Sequence, residues 1–285
     1  MWNFYAKNSR DLPWRSPELD GTFDPYKILV SEVMLQQTQV SRVVAKYQEF
    51  IGVFPTVNSL AQASLGDVLR QWQGLGYNRR AKFLHQSAQA VVARYDGTVP
   101  LQVSALITLP GIGKNTAAAI CVYAHNQPLT FIETNIRTVY IHHFFADHQD
   151  VEDKDILHKL EKSLQLISDW EEKPEMRIHS AHGTPRNPER VSYYREWYWA
   201  LMDYGTYLKS TVGNSNRQSK TYTKQSVFEG SNRQIRGTVL RLLADATMGK
   251  QQLEAVISDK RLGSVLKDLA AEKLIVEQKG SYSLA

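Results

Sequence analysis

The sequence predicts a mostly α-helical fold with a small C-terminal winged-helix-like unit, in which helices are followed by a β-hairpin. Three observations lead to this. Residues 27–50, KILVSEVMLQQTQVSRVVAKYQEF, repeat apolar side chains at the three-to-four-residue spacing of an amphipathic helix. Residues 109–120, LPGIGKNTAAAI, read as a glycine turn that opens a small-residue helix. Near the C-terminus, residues 233–245, 251–258 and 261–274 carry three helical patterns, and IVEQKGSYSL then reads as two short strands turning at Lys279 and Gly280.

The remaining elements follow in order. Residues 1–15 begin with a short amphipathic helix carrying Trp2, Phe4 and Tyr5, and residues 16–25 form a polar loop. Residues 26–50 read as one long helix, on which Glu32, Gln36 and Gln39 at i, i+4 and i+7 share a face. Thr56 opens a helix and Ser64 caps the next. GLGYNRRA is a turn, residues 81–95 another helix, and residues 136–145 continue as helix after the FIETN loop. Residues 153–170 are a charged amphipathic helix. Residues 171–195, with three prolines, a glycine and mixed charges, read as a long loop or insertion, and a helix follows from EWYWALMDYG.

With 285 residues the chain suffices for one large or two modest domains. Its net charge of +5 and pI near 9.1 favour a polyanionic partner mildly. The single cysteine, Cys121, excludes an internal disulfide and a cysteine metal cluster, and it reads as a packing residue. His142, His143 and His148 lack the carboxylate or thiol spacing of a metal site and read as packing or surface residues. With no membrane-length apolar run and no signal peptide, the expectation is a soluble, cytoplasmic protein.

The chemistry concentrates in three strings. A glycine turn at a helix N-terminus aims free amides at one spot, which suits a phosphate. LPGIGKNTA, with Gly111, Gly113, Lys114, Asn115 and Thr116, closely resembles the hairpin of the helix–hairpin–helix DNA glycosylases. SEVMLQQTQV resembles the MutY adenine glycosylases almost letter for letter, and GLGY and MDYG resemble further segments of that family. The likeness covers residues 1–225. It implies a two-lobed helix–hairpin–helix glycosylase domain over 1–225, with a cleft where Glu32 and the Glu133 loop meet, and a winged-helix-like domain over 226–285.

The resemblance also implies roles. Glu32 is the catalytic acid, Glu133 the carboxylate that stabilises the sugar, and Asn135 steadies its loop. Gln36 enters the base stack, the adjacent Gln37 binds DNA beside it, and Tyr77 contacts the opposite strand. Arg79, with Arg80 and Lys82, adds charge at that turn, and the hairpin grips a phosphate. The implied partner is double-stranded DNA with a mismatched or damaged base, bound by a monomer associated with the nucleoid. Strand-cleaving relatives have Lys at position 115, so Asn115 implies base release alone.

Four departures from the family stand out. Glu133 replaces Asp, a methylene longer, which displaces the carboxylate by about 1.5 Å. Asn78 stands where many relatives have an aromatic residue. Lys209 stands where the first cysteine of the family's iron–sulfur cluster would be, and the other three are absent, so no metal or cofactor is expected; Lys209, Arg217, Lys220 and Lys224 offer phosphate-binding charge instead. The larger C-terminal domain that recognises 8-oxoguanine is replaced by residues 226–285. Three readings stay open: an adenine glycosylase, a thymine or uracil–guanine mismatch glycosylase on the same scaffold, and a lesion-binding protein without turnover.

Overall fold

The computed structural model describes residues 1–171 and 193–285. Its elements in chain order are α1 (Trp2–Asn8), α2 (Pro25–Leu35), α3 (Val40–Val53), α4 (Val57–Gln62), α5 (Leu65–Gln71), α6 (Arg79–Tyr95) and α7 (Val103–Leu106). They continue as α8 (Lys114–His125), α9 (Thr134–Phe144), α10 (Asp153–Glu171), α11 (Tyr193–Thr211), α12 (Asn232–Asp245), β1 (Met248–Gly249), α13 (Lys250–Val256), α14 (Leu262–Ala271), β2 (Ile275–Gln278) and β3 (Ser281–Leu284). These form two compact units, each of two chain segments: Met1–Pro25 with Gly113–Lys224, and Tyr26–Ile112 with Gln225–Ala285.

In the first unit α8 is buried from Ala117 to Ala124. Its small side chains, Ala117 to Ala119, are buried, so neighbouring backbone can come close. α11 supplies the aromatic wall, with Tyr198 stacked on Phe131 at 4.2 Å between ring centroids. The N-terminal segment is tied to α11 by a buried carboxylate. Asp203 accepts from Arg15 Nη1 and Nη2 at 2.8 and 2.9 Å, and from Arg10 Nε at 2.6 Å. A buried carboxylate requires this pairing, because its desolvation is otherwise uncompensated. Arg195, at the start of α11, donates to the carbonyls of Tyr123 and Ala124 and so caps the C-terminal end of α8.

In the second unit Leu29, Met34, Phe50, Leu60, Trp72 and Leu84 form the core of α2 to α6. The helix starts follow their caps: Ser59 N donates to Thr56 Oγ1, and Asp67 N to Ser64 Oγ, both at 3.1 Å. Residues 225–285 pack into this same unit. Arg70 Nε, one residue from the end of α5, donates to the carbonyl of Ala244 in α12 at 3.1 Å, and the backbone at Gly66 lies against Leu284 and Ala285. β2 and β3 pair antiparallel with Gln278 opposite Ser281, so Lys279 and Gly280 form the expected two-residue turn, both with positive φ. β1 joins β3 on its other edge, giving the order β1-β3-β2.

Two expectations are corrected. Residues 26–50 are two helices, α2 and α3, and the chain breaks at 36–39, where Gln37 has φ 56°. Gln36 lies past the end of α2, so Glu32, Gln36 and Gln39 do not share a helical face. The cause is a distant arginine, described below. The loop expected at 171–195 is also shorter at both ends, since Glu171 belongs to α10 and Tyr193 begins α11; residues 172–192 lie outside the described residues.

Candidate active site

In the first unit the site is built on the N-terminus of α9. Glu133 is its N-cap: Oε1 accepts from Asn135 N at 2.6 Å and from Ile136 N at 3.1 Å. Capping normally suits the shorter Asp, Asn or Ser. Here the extra methylene lets the chain fold back on its own helix, and Asn135 Nδ2 approaches Oε2 at 3.4 Å. Asn135 Oδ1 in turn accepts from Lys209 Nζ at 2.7 Å. Lys209, expected among the phosphate-binding lysines, is therefore half-buried and directed at the Glu133 loop. Burial pushes the Glu133 carboxyl above the usual glutamate range; the Lys209 ammonium, the two amides and Arg137 oppose that shift. Burial likewise lowers Lys209, and the Glu133 charge opposes it.

The glycine of MDYG has a physical reason in this arrangement. A Cβ at Gly205 would lie 2.5 Å from the carbonyl oxygen of Asn135 and 2.7 Å from its Cβ. Only glycine lets α11 pass this close to the loop.

The start of α8 belongs to the same unit. Gly113 is its N-cap, with no side chain to occupy the first amides, and Lys114 and Asn115 are exposed while Thr116 is half-buried. The preceding turn belongs to the second unit and has Gly111 at φ 76°, where a Cβ would also meet Phe83 Cβ at 2.8 Å. Arg217 and Lys220 are exposed, and Lys220 Nζ pairs with Glu152 at 2.8 Å.

In the second unit Gln36, Gln37, Tyr77, Asn78 and Arg79 line one groove of about 580 Å³. Glu32 is half-buried on α2. The groove is shaped by Arg80, which sequence reasoning grouped with the surface charges near the turn. It is buried instead. Nη1 donates to the carbonyls of Val33 and Met34, both at 2.8 Å, and to that of Gln36. Nη2 donates to Thr38 Oγ1 at 2.9 Å and to the carbonyls of Leu75 and Gly76. This guanidinium satisfies the last carbonyls of α2 and fixes the break after it. Lys82 is also engaged, donating to the carbonyl of Glu272. Four wall residues came from no sequence signal: Phe83 from α6, Arg233 and Arg236 from α12, and Glu272 after α14.

The cofactor question can be tested on the side chains. A cluster held by four thiolates does not fit here, because Cys121 is the single cysteine and is buried in α8. Among the described residues no group of three or more His, Cys, Asp or Glu is placed to hold a metal ion. No step below involves one. Among the described residues no helix is long and apolar enough to cross a membrane.

A family model described as HhH-GPD superfamily base excision DNA repair protein matches residues 30–166, which include Glu32, Tyr77, the 109–120 turn and Glu133. An adenine DNA glycosylase of Mycobacterium tuberculosis is 31% identical, over 95% of this chain and 89% of its own length. One from Mycolicibacterium smegmatis is 33% identical, over 97% and 90%. The chain belongs to the MutY-type adenine DNA glycosylase family. The solved structure of a thermostable thymine-DNA glycosylase is similar in fold, with 24% identity and a TM-score of 0.53 over 71% of this chain and 81% of that one. The mostly helical glycosylase fold of this chain, with the chain's own small C-terminal unit of helices and a β-hairpin, is thus the one the sequence predicted.

Proposed function

We propose that the chain is a monofunctional adenine DNA glycosylase that removes adenine mispaired with guanine or 8-oxoguanine by hydrolysing its N-glycosidic bond. The observation that most supports this is the Glu133 carboxyl, seated on the first amides of α9 with Asn135 and Lys209 around it, in a member of this family.

The chemistry follows from the bond. Breaking the link between adenine and C1′ sends its electron pair to the base and leaves positive charge on the sugar. Glu32, as the acid, delivers a proton to the departing base. Glu133, as carboxylate, stabilises the sugar cation. Water adds to C1′ and gives up a proton, which restores the Glu32 acid and leaves free adenine and an abasic sugar. The base must first leave the stack, at a cost of a few kcal/mol. Gln36, beside Gln37, fills the gap, while Tyr77 and Arg79 face the opposite strand. The amides at the start of α8, with Gly111, Gly113, Lys114, Asn115 and Thr116, hold a phosphate. Asn115 has no amine to form a Schiff base, so the strand stays intact. Arg217 and Lys220 add charge along the backbone. The protein acts as a monomer on duplex DNA of the cytoplasmic nucleoid.

A single-turnover assay on duplexes carrying adenine opposite guanine, adenine opposite 8-oxoguanine, and thymine opposite guanine tests this. Adenine release from the first two, falling at least about a hundredfold in both Glu32→Gln and Glu133→Gln, is the expected result. Undiminished release in both variants, release of thymine alone, or binding without release would overturn it.

A further inference from the structure

We infer that Arg233, in the C-terminal segment, is a positioning residue that fixes Tyr77 as a hydrogen-bond donor toward the base opposite the target adenine. The inference rests on the adenine glycosylase reading and extends it to a part of the chain with no assigned role.

The geometry is local to one unit. Arg233 Nη1 donates to Tyr77 Oη at 2.7 Å, and its guanidinium lies 5.5 Å from the Tyr77 ring centroid. The Arg80 guanidinium lies 5.5 Å from the same ring. Arg233 is itself anchored, since Nη2 donates to the carbonyl of Ser226 at 2.6 Å. The Gln225 side-chain amide also donates to Tyr77 Oη. Tyr77 sits at φ 49°, a backbone state that a tyrosine adopts at a cost and keeps only where its surroundings enforce it. Gln37, on the same groove, has φ 56°. The groove is thus walled jointly by the Gln36–Tyr77 region and by Arg233 and Arg236.

The consequence concerns polarity. A phenol oxygen offers one proton and accepts through its lone pairs. Two N–H donors, Gln225 and Arg233, occupy the accepting side of Tyr77 Oη. The hydroxyl proton is then left to point away from them, so Tyr77 is set to favour an opposite base that presents an acceptor. Guanine presents O6 and N7, whereas the corresponding exocyclic group of cytosine is a donor.

The test compares adenine release opposite guanine with release opposite cytosine, under single-turnover conditions, in the full chain. Variants are Arg233→Met, Arg233→Lys, Tyr77→Phe and the double variant Arg233→Met/Tyr77→Phe, each checked for thermal unfolding. Arg233→Met and Tyr77→Phe should each reduce the preference for guanine by about tenfold, the scale of one neutral hydrogen bond. The double variant should lose no more than either single change, and Arg233→Lys should recover part of the loss, since a lysine can still donate to the phenol. Tyr77→Phe keeps the C-terminal segment's own anchors, so it reads the contact even where Arg233→Met unfolds. Unchanged preference in Tyr77→Phe, or losses that multiply in the double variant, would overturn this inference alone. A wild-type protein that releases no adenine from either duplex would overturn the parent reading, and this inference with it.

Discussion

Glu133 serves two purposes with one carboxyl group. It caps α9, and in the proposed reaction it faces a sugar cation. Because burial raises this carboxyl, it takes up its proton at a higher pH than an ordinary glutamate as the solution is acidified. Base release should therefore fall on the acid side from above the ordinary glutamate range. Lys209→Met removes the cation that opposes the burial effect, so the acid limb should move to still higher pH in single-turnover rates. Duplex affinity, and its dependence on salt, should stay as in the wild type. An unmoved acid limb with weaker, less salt-sensitive binding would instead assign Lys209 to a phosphate. Gly205→Ala addresses the same loop from α11. The added Cβ collides with the Asn135 backbone, so stability should fall by about 1–3 kcal/mol in thermal unfolding. Base release should fall with it at temperatures where the variant is still folded. Glu32, Gln36, Tyr77 and Glu133 could be proposed for the site because each sits in a contiguous string. Lys209 could not, because its partner Asn135 is 74 positions away and nothing in the local pattern separates an inward lysine from a solvated one.

Among the elements, the junction between α2 and α3 depends on one side chain. Arg80 supplies the terminal carbonyls of α2 with donors from 46 and 47 residues further along the chain. Arg80→Ala should leave buried acceptors unsatisfied and cost about 3 kcal/mol or more in chemical denaturation. Base release should be lost too, because Gln36 and Gln37 depend on the break that Arg80 fixes. Arg80→Lys should not restore either property, since an ammonium cannot reproduce the planar fork. This also explains why a continuous helix was expected over 26–50. The apolar positions resume in helical phase at Val40 beyond QQTQ, and the device that breaks the helix there lies outside the segment. Arg195 closes α8 in the same way from 71 residues away. By contrast, the β2–β3 hairpin was legible because Lys279 and Gly280 are a local turn signal. β1, at two residues, is too short to carry a period.

For the whole molecule, the division into two units is not a division of the sequence. Each unit takes a segment from an early and a late part of the chain. The C-terminal residues are a wall of the second unit. Removing residues 226–285 should therefore expose the face of α5 that carries Gly66 and Arg70. The truncated protein should unfold at lower temperature and bind a dye for apolar surface more strongly; a truncation as stable as the full chain would contradict this packing.

The bond from Arg70 to Ala244 spans 174 residues, and it has a consequence for how the chain comes to be folded. A protein made from its N-terminus must wait for α12 and β3 before the segment Tyr26–Ile112 finds its full complement of contacts. During that interval the side of α5 that faces α12 and β3 is uncovered and depends on slow, long-range closure. Chains stalled on the ribosome after residue 225 should remain sensitive to protease within 26–112, and protection should arrive only once the last strand has emerged.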